Sequence, residues 1–173
     1  MEYLFQIALI VLPAAAVIFT AVFFMRKTSE REVISMRMEL KKERQTFFLP
    51  NRVDAYQRAI LLMERIHPNS LLMRLMNPGL PCAAFQVKLL EAIREEYEHN
   101  IAQQMYISPA GWELVKKAKE ETVKIINLAG KQMDATSNAM DLSSKIFEIV
   151  AEVGTLPTEI AVEILKKEVQ ELF

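Results

Sequence analysis

The chain has 173 residues, with 21 Lys+Arg against 22 Asp+Glu and a formal net charge of −1. That near-neutral balance argues against general electrostatic binding of nucleic acid, which needs a concentrated basic surface. One cysteine excludes a disulfide framework and a cysteine-built metal site, while four glycines and seven prolines exclude flexible linkers and collagen-like repeats.

The first element is the uncharged run Tyr3 to Met25, 23 residues long. As a helix it spans about 34 Å, enough to cross a hydrocarbon core of about 30 Å. Its polar content is Gln6 and Thr20. Tyr3 suits one interface, Arg26 and Lys27 close the other, and Pro13 predicts a kink near the middle. A cleaved signal peptide fits poorly, because no basic segment precedes the run and nine apolar or uncharged residues follow Ala14-Ala15-Ala16. Arg26, Lys27, Arg31, Arg37, Lys41, Lys42 and Arg44 all follow the run, which predicts the N-terminus outside and the remainder in the cytoplasm, across a bacterial inner membrane. Ala16 and Thr20 form a small-xxx-small pair suited to close helix approach, with Gln6 available for an interhelical hydrogen bond.

Residues 28–50 read as a charged juxtamembrane helix. Val33, Met36, Leu40 and Phe47 fall at a/d-like spacing, but Glu43 interrupts the seam, so a coiled coil is not established. Phe47-Phe48-Leu49-Pro50 reads as a buried elbow or as a plug against the following helix. Residues 51–173 then read as a helical bundle. A helix over about 52–66 carries Val53, Tyr56, Ile60 and Met63 on one face, widened by Ala59, Leu62 and Ile66. Pro68 ends it, and Asn69 to Met76 is a short helical turn. Phe85, Leu89, Ile93, Tyr97 and Ile101 mark a helix over about 83–104. Ser108-Pro109 opens a helix to about Met133 with Trp112, Val115, Ile126 and Met133 on a face broadened by Leu114, Ala118, Ile125 and Leu128. Asp141 caps a helix stopped by Gly154, and Pro157 begins a last one carrying Ile160, Ile164, Leu165, Val169 and Leu172. The expected fold is all-α: an anchor (1–27), the charged helix (28–50) and a bundle of about five helices (51–173).

Both histidines end a Glu-x-x-His: Glu64…His67 and Glu96…His99. Two such motifs, with a glutamate from each of two further helices, hold di-metal centres in some bundles, and Glu113, Glu120 and Glu148 are available as the extra carboxylates. Three features favour ordinary surface histidines. His67 precedes Pro68, whose ring biases its backbone away from helix. Neither Glu64 nor Glu96 lies on the apolar stripe of its helix. The other glutamates lie on mixed, solvated faces. No cofactor is expected. Glu95, Glu96 and Glu98 form an acidic patch at a helix end, where the helix dipole does not favour it; the patch reads equally as a solvated face, and with Trp112, whose place in the first turn of an amphipathic helix favours core packing, it is the candidate partner surface. Cys82 reads as a small packed hydrophobe, and no nucleophile elbow or phosphate-binding loop is present.

The apolar span, the mixed-charge segment after it, and the stretches LPNRVDAYQRAILLMERIHP, EAIREEYEHNIAQQMYIS, GWELVKKAKEETVKIIN and LKKEVQELF together resemble a family of small single-span membrane proteins from Bacteroidota. The resemblance covers nearly the whole chain. It implies a single-span helical protein facing the cytoplasm, and it brings no activity, cofactor or catalytic residue. The expected role is therefore non-enzymatic: a membrane-anchored scaffold or accessory subunit that binds a protein partner. Self-assembly into a structural oligomer is the alternative, and a di-metal enzyme the remote one.

Overall fold

The computed structural model describes the backbone of residues 2–172 and the side chains of residues 18–28 and 31–172. In chain order the helices are α1 (Glu2–Ile66), α2 (Pro68–Leu75), α3 (Cys82–Asn100), a 3-10 turn (Ile101–Met105), α4 (Pro109–Lys131), α5 (Ala139–Val153) and α6 (Pro157–Gln170). Among the described residues there is no strand, only an isolated antiparallel bridge between Pro81 and Asn138. The fold is all-α. The chain divides into two compact units, Met1–Phe48 and Leu49–Phe173.

In the first unit the expected span lies for the most part outside the described residues, since nothing is described of the side chains of Tyr3, Gln6, Pro13 or Ala16. Among the described residues no helix is long and apolar enough to cross a membrane. Ile18, Phe19, Val22, Phe23, Phe24 and Met25, which continue the run, are 44–75% exposed. Every described side chain from Arg31 to Thr46 is also exposed. The hydroxyls of Ser35 and Thr46 donate back to the carbonyls of Glu32 and Lys42, at 2.9 and 3.0 Å. The buried elbow is corrected: Phe47 and Phe48 are 74% and 46% exposed, and the helix continues through Pro50. Proline's fixed φ is itself helical, so the backbone loses the bond to the Thr46 carbonyl without ending there.

The second unit is the bundle. The end of α1 contributes Ala55, Tyr56, Ala59, Leu62, Met63 and Ile66 to the core, at the three- and four-residue spacing that puts them on one face. The helix stops at Ile66 because His67, ahead of Pro68, takes the extended conformation φ −55°, ψ 132°. Pro68 then starts α2, a full helix rather than a turn, and the Asn69 N–H donates to His67 Nδ1 at 3.3 Å. In α3 Phe85, Leu89 and Ile93 are buried, but the chain tightens at Ile101, which is exposed. Ser108 caps α4, its Oγ accepting from the Gly111 N–H at 2.8 Å.

Two further expectations are adjusted. The cap of α5 is Asn138, whose Oδ1 accepts from Met140 and Asp141 N–H, while Asp141 returns a carboxylate oxygen to the Asn138 N–H. Asp141 is therefore the third residue of a capping box, not the cap. Leu128 and Ile160, counted with the core stripes, are exposed. Gly154 ends α5 with φ 76°, and Pro157 opens α6. Helix α4 is the hub, packed against α3, α5 and α6, and α5 also covers α2 and α3.

Candidate functional site

The two Glu-x-x-His motifs point to different neighbours. Glu64 and His67 lie at the end of α1 and face the start of α6, where His67 Nε2 stands 3.5 Å from Glu159 Oε1. Glu96 is bound instead by two arginines: Arg65 at 2.6 Å and Arg74 at 3.3 Å. It ties α1 and α2 to α3, while His99 is exposed. His67 still donates its N–H to the Met63 carbonyl at 3.0 Å, so its side chain keeps the helical i, i+3 relation to Glu64, and the chain leaves the helix only after it. Among the described residues no group of three or more His, Cys, Asp or Glu is placed to hold a metal ion.

Glu64 and His67 do line a cleft of about 240 Å³ against α6. Its apolar floor is Met63 and Val162, both buried. Glu159 and Glu163 stand along the α6 side with Lys166. Glu159 holds its helix start through Oε2, which accepts the Leu156 N–H at 2.9 Å, and Glu163 pairs with Lys167 at 2.8 Å. That lysine holds the Glu163 carboxyl below the usual carboxylate range. Thr158, also on the cleft, is 2% exposed, and its Oγ1 is buried without a hydrogen-bond partner. Among the described residues it is the side-chain oxygen in that condition, closed off from solvent and from a partner alike.

The candidate partner surface separates into three environments. Glu95 and Glu98 are exposed. Glu96 is committed to Arg65 and Arg74. Trp112 is 4% exposed and stacks on Tyr97 with ring centroids 5.8 Å apart, so it belongs to the core and not to a surface. Lys119 Nζ sits 4.3 Å from the Tyr97 ring centroid, at a groove between α3 and α4 whose apolar residues include Leu90, Ile93 and Val123.

A polar knot that the sequence did not reveal joins α1, α4 and α6. Tyr56 Oη donates to Glu168 Oε2 at 2.8 Å, and Ser108 Oγ donates to the same carboxylate at 2.8 Å. The Ser108 N–H donates in turn to Tyr56 Oη at 3.3 Å. Glu168 thus sits against the first turn of α4, where the helix dipole favours an anion. Burial pushes the Tyr56 phenol up, and the hydrogen bond and charge of Glu168 add to the shift. Tyr56 and Ser108 lie 112 and 60 residues from Glu168, so no local pattern signals the knot. Cys82 is buried, and burial followed by the charge of Asp141 raises its thiol pKa, which leaves a thiol of low reactivity.

These features define an all-α bundle held by internal ion pairs and caps, preceded by a helix with exposed apolar residues. Residues 2–172 match a family of unknown function, DUF7935, and the chain belongs to it. No curated protein and no solved structure matches the chain.

Proposed function

We propose that this protein is a non-enzymatic, membrane-anchored interaction protein: a scaffold or accessory subunit of an inner-membrane complex, with its bundle in the cytoplasm. The observation that carries the reading is the stretch Ile18–Met25, whose large apolar side chains are all exposed. At about 100° per residue those positions are spread round the whole circumference of the helix. A helix apolar all round suits lipid on every side, whereas docking on one partner needs only a stripe. The stretch continues the uncharged run from Tyr3 and is closed by Arg26 and Lys27, where interfacial cations belong. The basic residues that follow support the N-out, C-in orientation.

The test is alkaline washing of native membranes, then extraction in mild detergent with mass spectrometry of what co-purifies. Retention through the wash, with a recurrent partner at fixed stoichiometry, is expected. Release by the wash overturns the anchor. A second reading, self-assembly, is favoured by the exposure of Val33, Met36 and Leu40. Recovery of the protein alone at a defined multiple of its mass, with cross-links through those three positions, selects it.

A further inference from the structure

His67 stands where the end of α1 meets the starts of α2 and α6, and its two ring nitrogens face opposite demands. Nδ1 accepts the Asn69 N–H at 3.3 Å and is the side-chain cap of α2. Only a deprotonated ring nitrogen accepts, so the neutral imidazole carries its proton on Nε2. Nε2 lies 3.5 Å from Glu159 Oε1, within ion-pair range but longer than a formed hydrogen bond. The other oxygen of that carboxylate accepts the Leu156 N–H at the start of α6. The ring thus bridges the first turns of two helices. Glu64 from α1, and Glu163 and Lys166 from α6, line the same cleft. Among the described residues, three carboxylates and one lysine therefore face the ring. The first turn of α2 has no acidic side chain to compensate its positive end.

We propose that His67 is a proton-operated cap, which releases the start of α2 when its imidazole takes up a proton. Imidazolium has two N–H donors and no acceptor, so Nδ1 no longer holds the Asn69 N–H. A cation then faces the N-terminal end of a helix, where the dipole repels it. The surrounding carboxylates draw the charged ring the other way, and its contact with Glu159 shortens as the cap opens. The far end of α2 stays in place, because Arg74 donates to Glu96 and to the Arg65 carbonyl, both at 3.3 Å. The Leu71 N–H also keeps the His67 carbonyl at 2.9 Å, so the change is confined to the turn at Pro68 and Asn69.

The test is NMR of the full chain in detergent micelles from about pH 8 to about pH 5. The ring nitrogen shifts of His67 read its tautomer and protonation, and the Asn69 amide reads the cap. At the alkaline end the proton is expected on Nε2. On acidification the Asn69 amide shift should follow the His67 ring with the same midpoint. Its protection against hydrogen exchange, corrected for the intrinsic pH dependence, should fall about three- to tenfold, the effect of losing one cap. His67→Asn supplies a capping oxygen that does not titrate, and should make the Asn69 amide insensitive to pH over this range. Glu159→Gln keeps an oxygen for the Leu156 N–H and should move the His67 titration to lower pH. A proton on Nδ1 at the alkaline end, an Asn69 amide that ignores the ring titration, or an undiminished Asn69 response in His67→Asn overturns the proposal. An unmoved midpoint in Glu159→Gln removes Glu159 as the group that draws the charged ring.

Discussion

The Tyr56–Glu168–Ser108 knot offers the sharpest test of what holds the bundle together. Tyr56 is fully buried in the core, and its hydroxyl both donates to Glu168 Oε2 at 2.8 Å and accepts from the Ser108 N–H at 3.3 Å. Tyr56→Phe deletes a bond to a charged acceptor, a change of about 1.5–3 kcal/mol, and leaves the Ser108 N–H without that acceptor. Glu168→Ala deletes the acceptor itself. The Tyr56 and Ser108 hydroxyls then both lose their shared partner, although Ser108 Oγ keeps the Gly111 N–H. The expected cost is about 2–4 kcal/mol. Because the two substitutions remove the same bond, the double variant should fall short of the sum by about 1–2 kcal/mol. Urea unfolding of the full chain in micelles, followed by the fluorescence of the buried Trp112, reads these differences. With a slope of about 1–3 kcal/mol per molar, the single variants shift the midpoint by about 1 M. A Glu168→Ala midpoint unchanged from wild type, or full additivity in the double variant, refutes the reasoning.

The same tyrosine sets an alkaline limit. Its pKa is raised in the folded state, so the folded protein keeps the phenolic proton after the unfolded chain has lost its own. The resulting stability is fully present below the ordinary phenol value of about 10 and is lost as pH rises through the higher folded value. Urea midpoints measured from pH 8 to 11 should decline less steeply above about pH 10 in Tyr56→Phe than in wild type. Thr158→Val replaces the unpartnered hydroxyl with a methyl and should stabilise the isolated protein by about 1 kcal/mol in the same assay. Gly154→Ala places a Cβ at φ 76°, and although no atom lies within 4 Å of it, the backbone strain should cost about 1–3 kcal/mol. Leu89→Ala, at a fully buried position of α3, should cost about 2–5 kcal/mol, read as a lowered urea midpoint with a similar slope.

The helical plan was legible because its signals are local. A proline fixes a helix start at Pro109 and Pro157, a pre-proline residue ends one at Ile66, and a glycine ends one at Gly154. Apolar spacing found the buried faces of Tyr56–Ile66, Phe85–Ile93 and Trp112–Ile126, because one face of a helix repeats every three or four residues whatever it packs against. The same spacing overreached at Ile101, Leu128 and Ile160, which the described residues leave exposed at the edge of their stripes. The buried elbow at Phe47-Phe48 failed for a related reason: three bulky residues before a proline resemble a chain reversal, but proline's φ is compatible with helix and Pro50 stays within α1.

Charge and polarity were different. Glu96 read as a free member of an acidic patch, yet Arg65 and Arg74 come from two other helices to neutralise it. Trp112 is hidden because Tyr97 stacks on it from α3. Glu168 looked like one more glutamate in LKKEVQELF until α1 and α4 brought Tyr56 and Ser108 to it. The cleft of Glu64, His67, Glu159 and Glu163 exists only where the end of α1 meets the start of α6. By itself the sequence determined the all-helical character, the helix ends marked by proline or glycine at Ile66, Pro109, Gly154 and Pro157, and the apolar run, since each depends on residues within a few positions of one another. Only the tertiary structure decided which charges are spent internally, which aromatic ring is covered and where an unsatisfied hydroxyl remains. Those outcomes rest on long-range pairings that no local spacing encodes.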